Sequence, residues 1–169
     1  MKILKAEMED AQTLCDIFFE HIESHTEYIS HGEIQMGVGE GTFVNEKLIA
    51  RPAQDGRRFW MKYILGNLAD TDGAAVFKAV DEQGNITGFS VAEITEDGAA
   101  PFGMLCDVLV KESCRQKGTG TALMTAAIEW FREKGVKDIY LESGLNNHAA
   151  HEYFIRRGFR KVSEIYKLM

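Results

Sequence analysis

Asp107-Val108-Leu109-Val110-Lys111-Glu112-Ser113-Cys114-Arg115-Gln116-Lys117-Gly118-Thr119-Gly120-Thr121-Ala122-Leu123-Met124 reads as a buried strand that runs into a basic loop, two glycines and the start of a helix. A helix start leaves main-chain N–H groups without intrahelical partners, and it carries a partial positive charge. Glycines there let the backbone come close to an anion, because no Cβ stands in the way. Arg115 and Lys117 add charge at the mouth. The combination describes a cradle for phosphate or diphosphate. Two phosphate loops fit it badly. A Walker loop needs Lys and then Ser or Thr after its last glycine, and Gly120 is followed by Thr121-Ala122. A dinucleotide fingerprint needs a small residue three positions after the second glycine, where Leu123 stands. Its glycines should also follow the strand closely, whereas seven residues separate Val110 from Gly118.

Outward from this stretch, the hydrophobic period changes several times. Residues 2–7 alternate as a short strand. Asp10 is placed to cap a helix whose stripe is Ala11, Leu14, Cys15, Phe18 and Ile22. Residues 24–56 have little periodicity and hold Gly32, Gly37, Gly39, Gly41, Pro52 and Gly56, which predicts a mobile loop with one short helix. Phe59, Tyr63 and Ile64 suggest a helix over 57–68. Strands over 75–80 and 86–94 flank the turn 81–85 as a hairpin. A further strand covers 105–110, and a long helix covers 118–134 with the stripe Leu123, Ala127, Ile128 and Phe131 and Gly135 as its terminator. A strand over 136–143, a helix over 147–156 and a last strand or strands over 159–168 complete an α/β order with a strand–helix–strand crossover.

The 169 residues suit one domain with a real core. With 19 Lys+Arg against 26 Asp+Glu, the net charge is −7. Residues 1–100 carry 8 basic and 18 acidic groups, and residues 101–169 carry 11 and 8. An acidic chain argues against a nucleic-acid binder held by phosphate contacts. The split favours an anionic ligand on the C-terminal half and a cationic one on the N-terminal half. No apolar run reaches the roughly 18–20 residues that span a bilayer. Lys2 and Lys5 interrupt the start, so no secretory signal is expected. Cys15, Cys106 and Cys114 give neither a disulfide framework nor a metal spacing, and read as reduced cytoplasmic thiols.

Arg115-Gln116-Lys117-Gly118-Thr119-Gly120 resembles the Arg/Gln-x-x-Gly-x-Gly/Ala signature of the GNAT N-acetyltransferases. Asp107–Val110 resembles their fourth strand, and Asn147, Ala150 and Gly158-Phe159 match a second motif, so the resemblance covers about residues 104–160. It implies one N-acetyltransferase domain over 1–169, with a mixed, mostly antiparallel sheet of six to seven strands, splayed central strands and about four helices. It also implies acetyl-CoA as co-substrate, seated where the fourth and fifth strands part. Main-chain groups of Val108, Leu109 and Val110 would hold the acetyl carbonyl and pantetheine amides. Amides of Arg115, Gln116, Lys117, Gly118, Thr119, Gly120 and Thr121 would take the diphosphate, and Asn147 would meet the pantetheine arm or the chain near the thiol.

The reaction that the resemblance implies is direct attack of an amine on the thioester, which needs a base, carbonyl stabilisation and a proton for the thiolate. Neither Cys106 nor Cys114 is then a nucleophile. The family often has a Tyr four residues before the motif glycine; Phe154 stands there, with Tyr153 one step earlier as the candidate acid. Asp107 and Glu93 are the candidate bases. Strand alternation puts Asp107 with Leu109 on one face and Val108 with Val110 on the other. His148 and His151 lack a third metal ligand and read as exposed helix residues, so no metal is expected. The acceptor site in that family is built by the first helices, their connecting loop and the last strands. Here that loop holds Glu33, Glu40 and Glu46, with Tyr28, Phe43, Phe59 and Trp60 as candidate lining, and it suggests a small cationic amine. The competing reading is a non-catalytic CoA-binding sensor. Two-fold association is common in the family, and no sequence feature decides it.

Overall fold

The 81–85 turn shows how locally the sheet is specified. Asp81 Oδ1 accepts the N–H groups of Gln83 (3.0 Å) and Asn85 (2.8 Å), which reverses the chain between two apolar strands. The computed structural model describes residues 1–168 except 46 and 97. Its strands are β1 (Lys2–Lys5), β2 (Gly39–Val44), β3 (Lys47–Pro52), β4 (Ala74–Val80), β5 (Ile86–Thr95), β6 (Phe102–Val110) and β7 (Ile139–Leu141). Its helices are α1 (Ala11–Ser24), α2 (His31–Met36), α3 (Gly56–Ala69), α4 (Thr119–Glu133) and α5 (His148–Arg156), with 3-10 turns at Met8–Asp10, Thr26–Tyr28 and Glu112–Cys114.

Five strands form a sheet in the order β1-β4-β5-β6-β7. Every pair is antiparallel except β6 and β7, which α4 connects and which run parallel. Helices cover both faces. On one, Leu14, Phe18 and Phe19 of α1 and Trp60 and Ile64 of α3 bury Phe89, Val91 and Leu109. On the other, Leu123, Ala127 and Phe131 of α4 bury Ala92 and Leu105. Large apolar side chains of this kind contribute roughly 1.5–3 kcal/mol each when fully buried, so these two layers fix the sheet.

Two irregularities in β6 shape the site. Parallel pairing with β7 ends at Leu105↔Leu141, while β6 runs on to Val110, so the last residues of β6 leave an open edge. The register with β5 also shifts, with Val91 opposite Asp107 and Ala92 opposite Leu105. Cys106 is the extra residue of a bulge. Leu105 therefore packs with α4, whereas Asp107 and Leu109 face α1 and α3.

The structure departs from the sequence reading in four places. Asp10 does not cap α1 with its side chain; its carboxylate accepts from the Glu7 N–H (2.8 Å) and pairs with Lys78 (2.5 Å). Residues 24–56 hold α2 and the β2–β3 hairpin, not one loop. A Cβ on Gly39 would lie 2.5 Å from Ile29 Cγ2, and one on Gly41 would lie 2.9 Å from Ile34 Cδ1, so these glycines mark close packing. The strand over 136–143 shrinks to β7. Residues 159–168 form no strand and pair with no edge of the sheet, and Val162 and Tyr166 there are 75% and 85% exposed. Among the described residues the count of seven strands stands, five in the main sheet and two in the hairpin.

Candidate functional site

The open edge of β6 leads directly into the first turn of α4. Gln116 and Gly118 take the left-handed conformation (φ 61° and 81°), a geometry that costs a non-glycine residue about 1 kcal/mol. Among the described residues, the N–H groups from Gln116 to Thr121 have no protein partner, and the Ala122 N–H is the first to be bonded, to Gly118 O at 3.0 Å. A run of unpaired amides at the positive end of a fifteen-residue helix suits an anion. Nothing lies within 4 Å of a Cβ placed on Gly118, so the mouth is open.

Two expected cradle members differ. The Arg115 amide is already spent on Glu112 O (3.2 Å). Its guanidinium turns away from the mouth, with Nε donating to Val110 O (3.2 Å) and the other nitrogens reaching His21 Nδ1 (2.9 Å) and Tyr28 Oη (3.5 Å). Along β6, the Lys111 N–H donates to Thr87 O (2.9 Å), so by alternation Leu109 also directs its main-chain groups to β5. Val108 and Val110 face the open edge, and Leu109 does not. Asn147 Oδ1 caps α5 through the Ala150 N–H (3.2 Å), which leaves its side-chain NH2 available.

Tyr153 belongs to this side. Its hydroxyl is 3.3 Å from Thr121 Oγ1 and 3.9 Å from a Cβ placed on Gly120, while Arg157 lies over its ring and donates to Thr121 Oγ1. Phe154 packs on Phe159. His151 is half-buried, with Nε2 3.0 Å from Gly144 O, so it is not the exposed helix residue expected; His148 is exposed. Among the described residues, no group of three or more His, Cys, Asp or Glu is placed to hold a metal ion. No helix there is long and apolar enough to cross a membrane.

The opposite face of β6 is acidic. Asp107 Oδ2 accepts a hydrogen bond of 2.8 Å from the Tyr63 hydroxyl on α3. Burial and the Glu33 and Glu93 charges raise the Asp107 carboxyl to about 7, against the opposing pull of the Tyr63 bond. Burial also pushes the Tyr63 phenol well up, with Asp107 adding to the effect, and it raises the Cys106 thiol, with help from Glu93 and Asp107. A thiol so raised stays protonated and is a poor nucleophile. Glu33 closes the N-terminal turn of α2 by accepting from the Ser30 N–H (2.7 Å). Tyr63 and Glu93 also line a groove of about 470 Å³ with Met36, Phe59, Lys62 and Asn67.

The structure thus joins Asp107 and Glu93 on one side, and Tyr153 and the Gln116–Thr121 amides on the other. Tyr63 and His21 were missed by sequence reasoning. Tyr63 had the signal of a core helix position, and His21 stood beside a helix stripe without a motif. Of the candidate acceptor lining, Phe59 reaches the groove, Trp60 is core (1% exposed, stacked on Phe18), Tyr28 lies under Arg115, and Phe43 is exposed on β2. Glu40 pairs with Arg51 at the surface (2.7 Å), and Glu46 lies outside the described residues.

Comparison with known proteins agrees with this geometry. The acetyltransferase (GNAT) family matches residues 43–159. A mycothiol acetyltransferase of Propionibacterium freudenreichii subsp. shermanii is 31% identical over 142 residues, which is 83% of this chain and 38% of that protein; the chain spans well under half the length of that relative. An aminoglycoside N(6')-acetyltransferase type 1 of Stenotrophomonas maltophilia is 28% identical over 110 residues, 62% of this chain and 71% of the relative. Among solved structures, a tetramutant of the BH1408 protein from Bacillus halodurans superposes with a TM-score of 0.74 at 19% identity, covering 100% of this chain and 99% of that one, which shows a shared fold. From the α4 cradle, the β6–β7 opening and the match over residues 43–159, the chain belongs to the acetyltransferase (GNAT) family.

Proposed function

We propose that the chain transfers an acetyl group from acetyl-CoA to the primary amine of a small cationic acceptor. One observation carries this reading: the two faces of one half-open strand present opposite chemistries. β6 leads into the unpaired amides of Gln116–Thr121, and it bears on its other face an Asp107 carboxyl raised to about 7. The amides suit a diphosphate, and main-chain groups of Val108 and Val110 suit the pantetheine amides and the acetyl carbonyl. The side-chain NH2 of Asn147 suits the pantetheine arm.

In the proposed reaction, the amine nitrogen bonds to the thioester carbonyl carbon and the C–S bond breaks. Asp107, directly or through water, removes the proton from the amine. A carboxylate with a pKa near the working pH is suited to that task. Glu93 and Glu33 supply negative charge that favours a cationic acceptor in the groove beside Tyr63. The aminoglycoside and mycothiol enzymes among the relatives support a small-molecule acceptor. The sequence offers Tyr153 as the acid that protonates the leaving thiolate. Its hydroxyl is at the α4 amides, and the pantetheine arm separates that end of the co-substrate from the sulfur, so Tyr153 is assigned to holding the diphosphate end and water to the proton. Phe154 keeps a second reading open, a CoA-binding sensor without turnover.

The test is release of CoA thiol from acetyl-CoA across a panel of polyamines, amino sugars and peptide N-termini. Turnover with a cationic amine supports transfer. Stabilisation of the fold by acetyl-CoA with no turnover on any amine selects the sensor. A location in the cytoplasm fits a reduced-thiol, acetyl-CoA-dependent protein, and is proposed with the activity.

A further inference from the structure

Arg115 stands in the loop signature, yet its side chain makes no contribution to the mouth of the cradle. It bridges instead. Besides Val110 O, it reaches His21 on α1 and Tyr28 in the Thr26–Tyr28 turn. The imidazole of His21 stacks on the Tyr28 ring (centroids 4.2 Å apart, planes 4° apart) and offers Nδ1 as acceptor. Burial and the Arg115 charge hold His21 neutral, at about 3. The same turn touches the other lip of the β6–β7 opening. A Cβ on Gly144, three residues before Asn147, would lie 2.6 Å from Glu27 O and 3.2 Å from Ile29 O. The Thr26–Tyr28 turn therefore spans both chain segments that leave the open edge: the loop after β6 and the turn after β7.

We propose that Arg115 and His21 are a positioning pair that fastens the diphosphate loop to the Thr26–Tyr28 turn, and so sets the direction of the Gln116–Thr121 amides before the co-substrate arrives. The proposal rests on the acetyl-CoA reading for its ligand, and on the contacts alone for the fastening. The planar guanidinium reaches Val110 O through Nε and the imidazole through a terminal nitrogen; an ammonium gathers its donors on one atom and does not reproduce that spread. An arriving diphosphate then meets amides whose ordering has already been spent on the Arg115 contacts.

The test is calorimetric titration with CoA of the wild type, Arg115→Met, His21→Phe and the double variant, with hydrogen exchange of the four free proteins. His21→Phe keeps a ring on Tyr28 and removes only the acceptor. Each single variant weakens CoA binding about tenfold, and the double variant is no worse than either, because both remove one contact. His21→Gln, which restores an acceptor, returns binding to within about threefold of wild type. In the free proteins, amides over 112–121 and 25–29 exchange faster together in both single variants. Losses that multiply in the double variant, or an Arg115→Met effect with His21→Phe unchanged, overturn the pair and make Arg115 a direct ligand. If the wild type takes up no CoA, the acetyl-CoA reading fails, and the exchange arm still decides. Loosening of both segments together keeps the fastening, and loosening of one alone ends it. Arg115→Lys gives the Arg115→Met pattern should the methionine variant not fold.

Discussion

The two faces of β6 present different parts of the chain. On the α4 side the groups presented are main-chain amides, held by φ angles of 61° and 81° at Gln116 and Gly118 and by the helix behind them. On the α3 side they are side chains, Asp107, Tyr63 and Glu93, crowded into a half-buried acidic cluster. The first arrangement tolerates many side-chain changes and fails when the backbone cannot keep its conformation. The second fails with a single atom changed. On the proposed reading this contrast separates ligand capture from proton handling, and each can be broken without the other.

The largest expected effect is on the acidic side. Asp107→Asn lowers kcat by about 10²–10⁴ and leaves CoA affinity in place. The wild-type rate rises as pH climbs through about 7, where Asp107 loses its proton, and this limb disappears in Asp107→Asn. A rate against pH with the best amine of the panel reads both. Gly118→Glu is the matching break on the other side: it strains a left-handed residue and sets a negative charge at the cradle. CoA affinity measured by calorimetry falls about a hundredfold, and unchanged affinity would remove the loop from the site. Tyr63→Phe sharpens the comparison. Its hydroxyl bond lowers the Asp107 pKa, so the variant shifts the rising limb to higher pH and costs about tenfold in rate at neutral pH. Tyr153→Phe has the smallest effect, a rise of a few-fold in KM for acetyl-CoA with kcat kept. A large fall in kcat there would return Tyr153 to the role of acid.

His21 adds a prediction on stability. Its folded pKa lies at about 3, below the ordinary value of roughly 6.5. Between these limits the unfolded chain holds more protons than the folded one, so stability is lost as pH falls through this window. Thermal melts of His21→Phe show a flatter decline there than the wild type.

The α4 side was legible in the sequence because its chemistry is local. Strand, basic loop, paired glycines and helix are consecutive, and main-chain amides need no partner from elsewhere. The acidic side was only half legible. Asp107 stood out as a carboxylate in an apolar strand, but Tyr63 is 44 positions away, and only the packing of α3 brings it to 2.8 Å. The bulge at Cys106 decides which core Asp107 faces, and nothing in the alternation of 105–110 announces it. Arg115 misled for the opposite reason. Its position in the motif suggested the mouth, while a distant acceptor on α1 took its side chain. The glycines of 24–56 suggest freedom in the sequence, whereas Gly39 and Gly41 are where Ile29 and Ile34 press against β2.

Amide-resolved NMR of the protein titrated with CoA tests the central claim most directly. The account predicts that the largest shifts fall on the N–H groups from Gln116 to Thr121, with the resonances of Glu93 and Tyr63 little moved. Shifts centred elsewhere, with the Gln116–Thr121 amides unchanged at saturation, would contradict it.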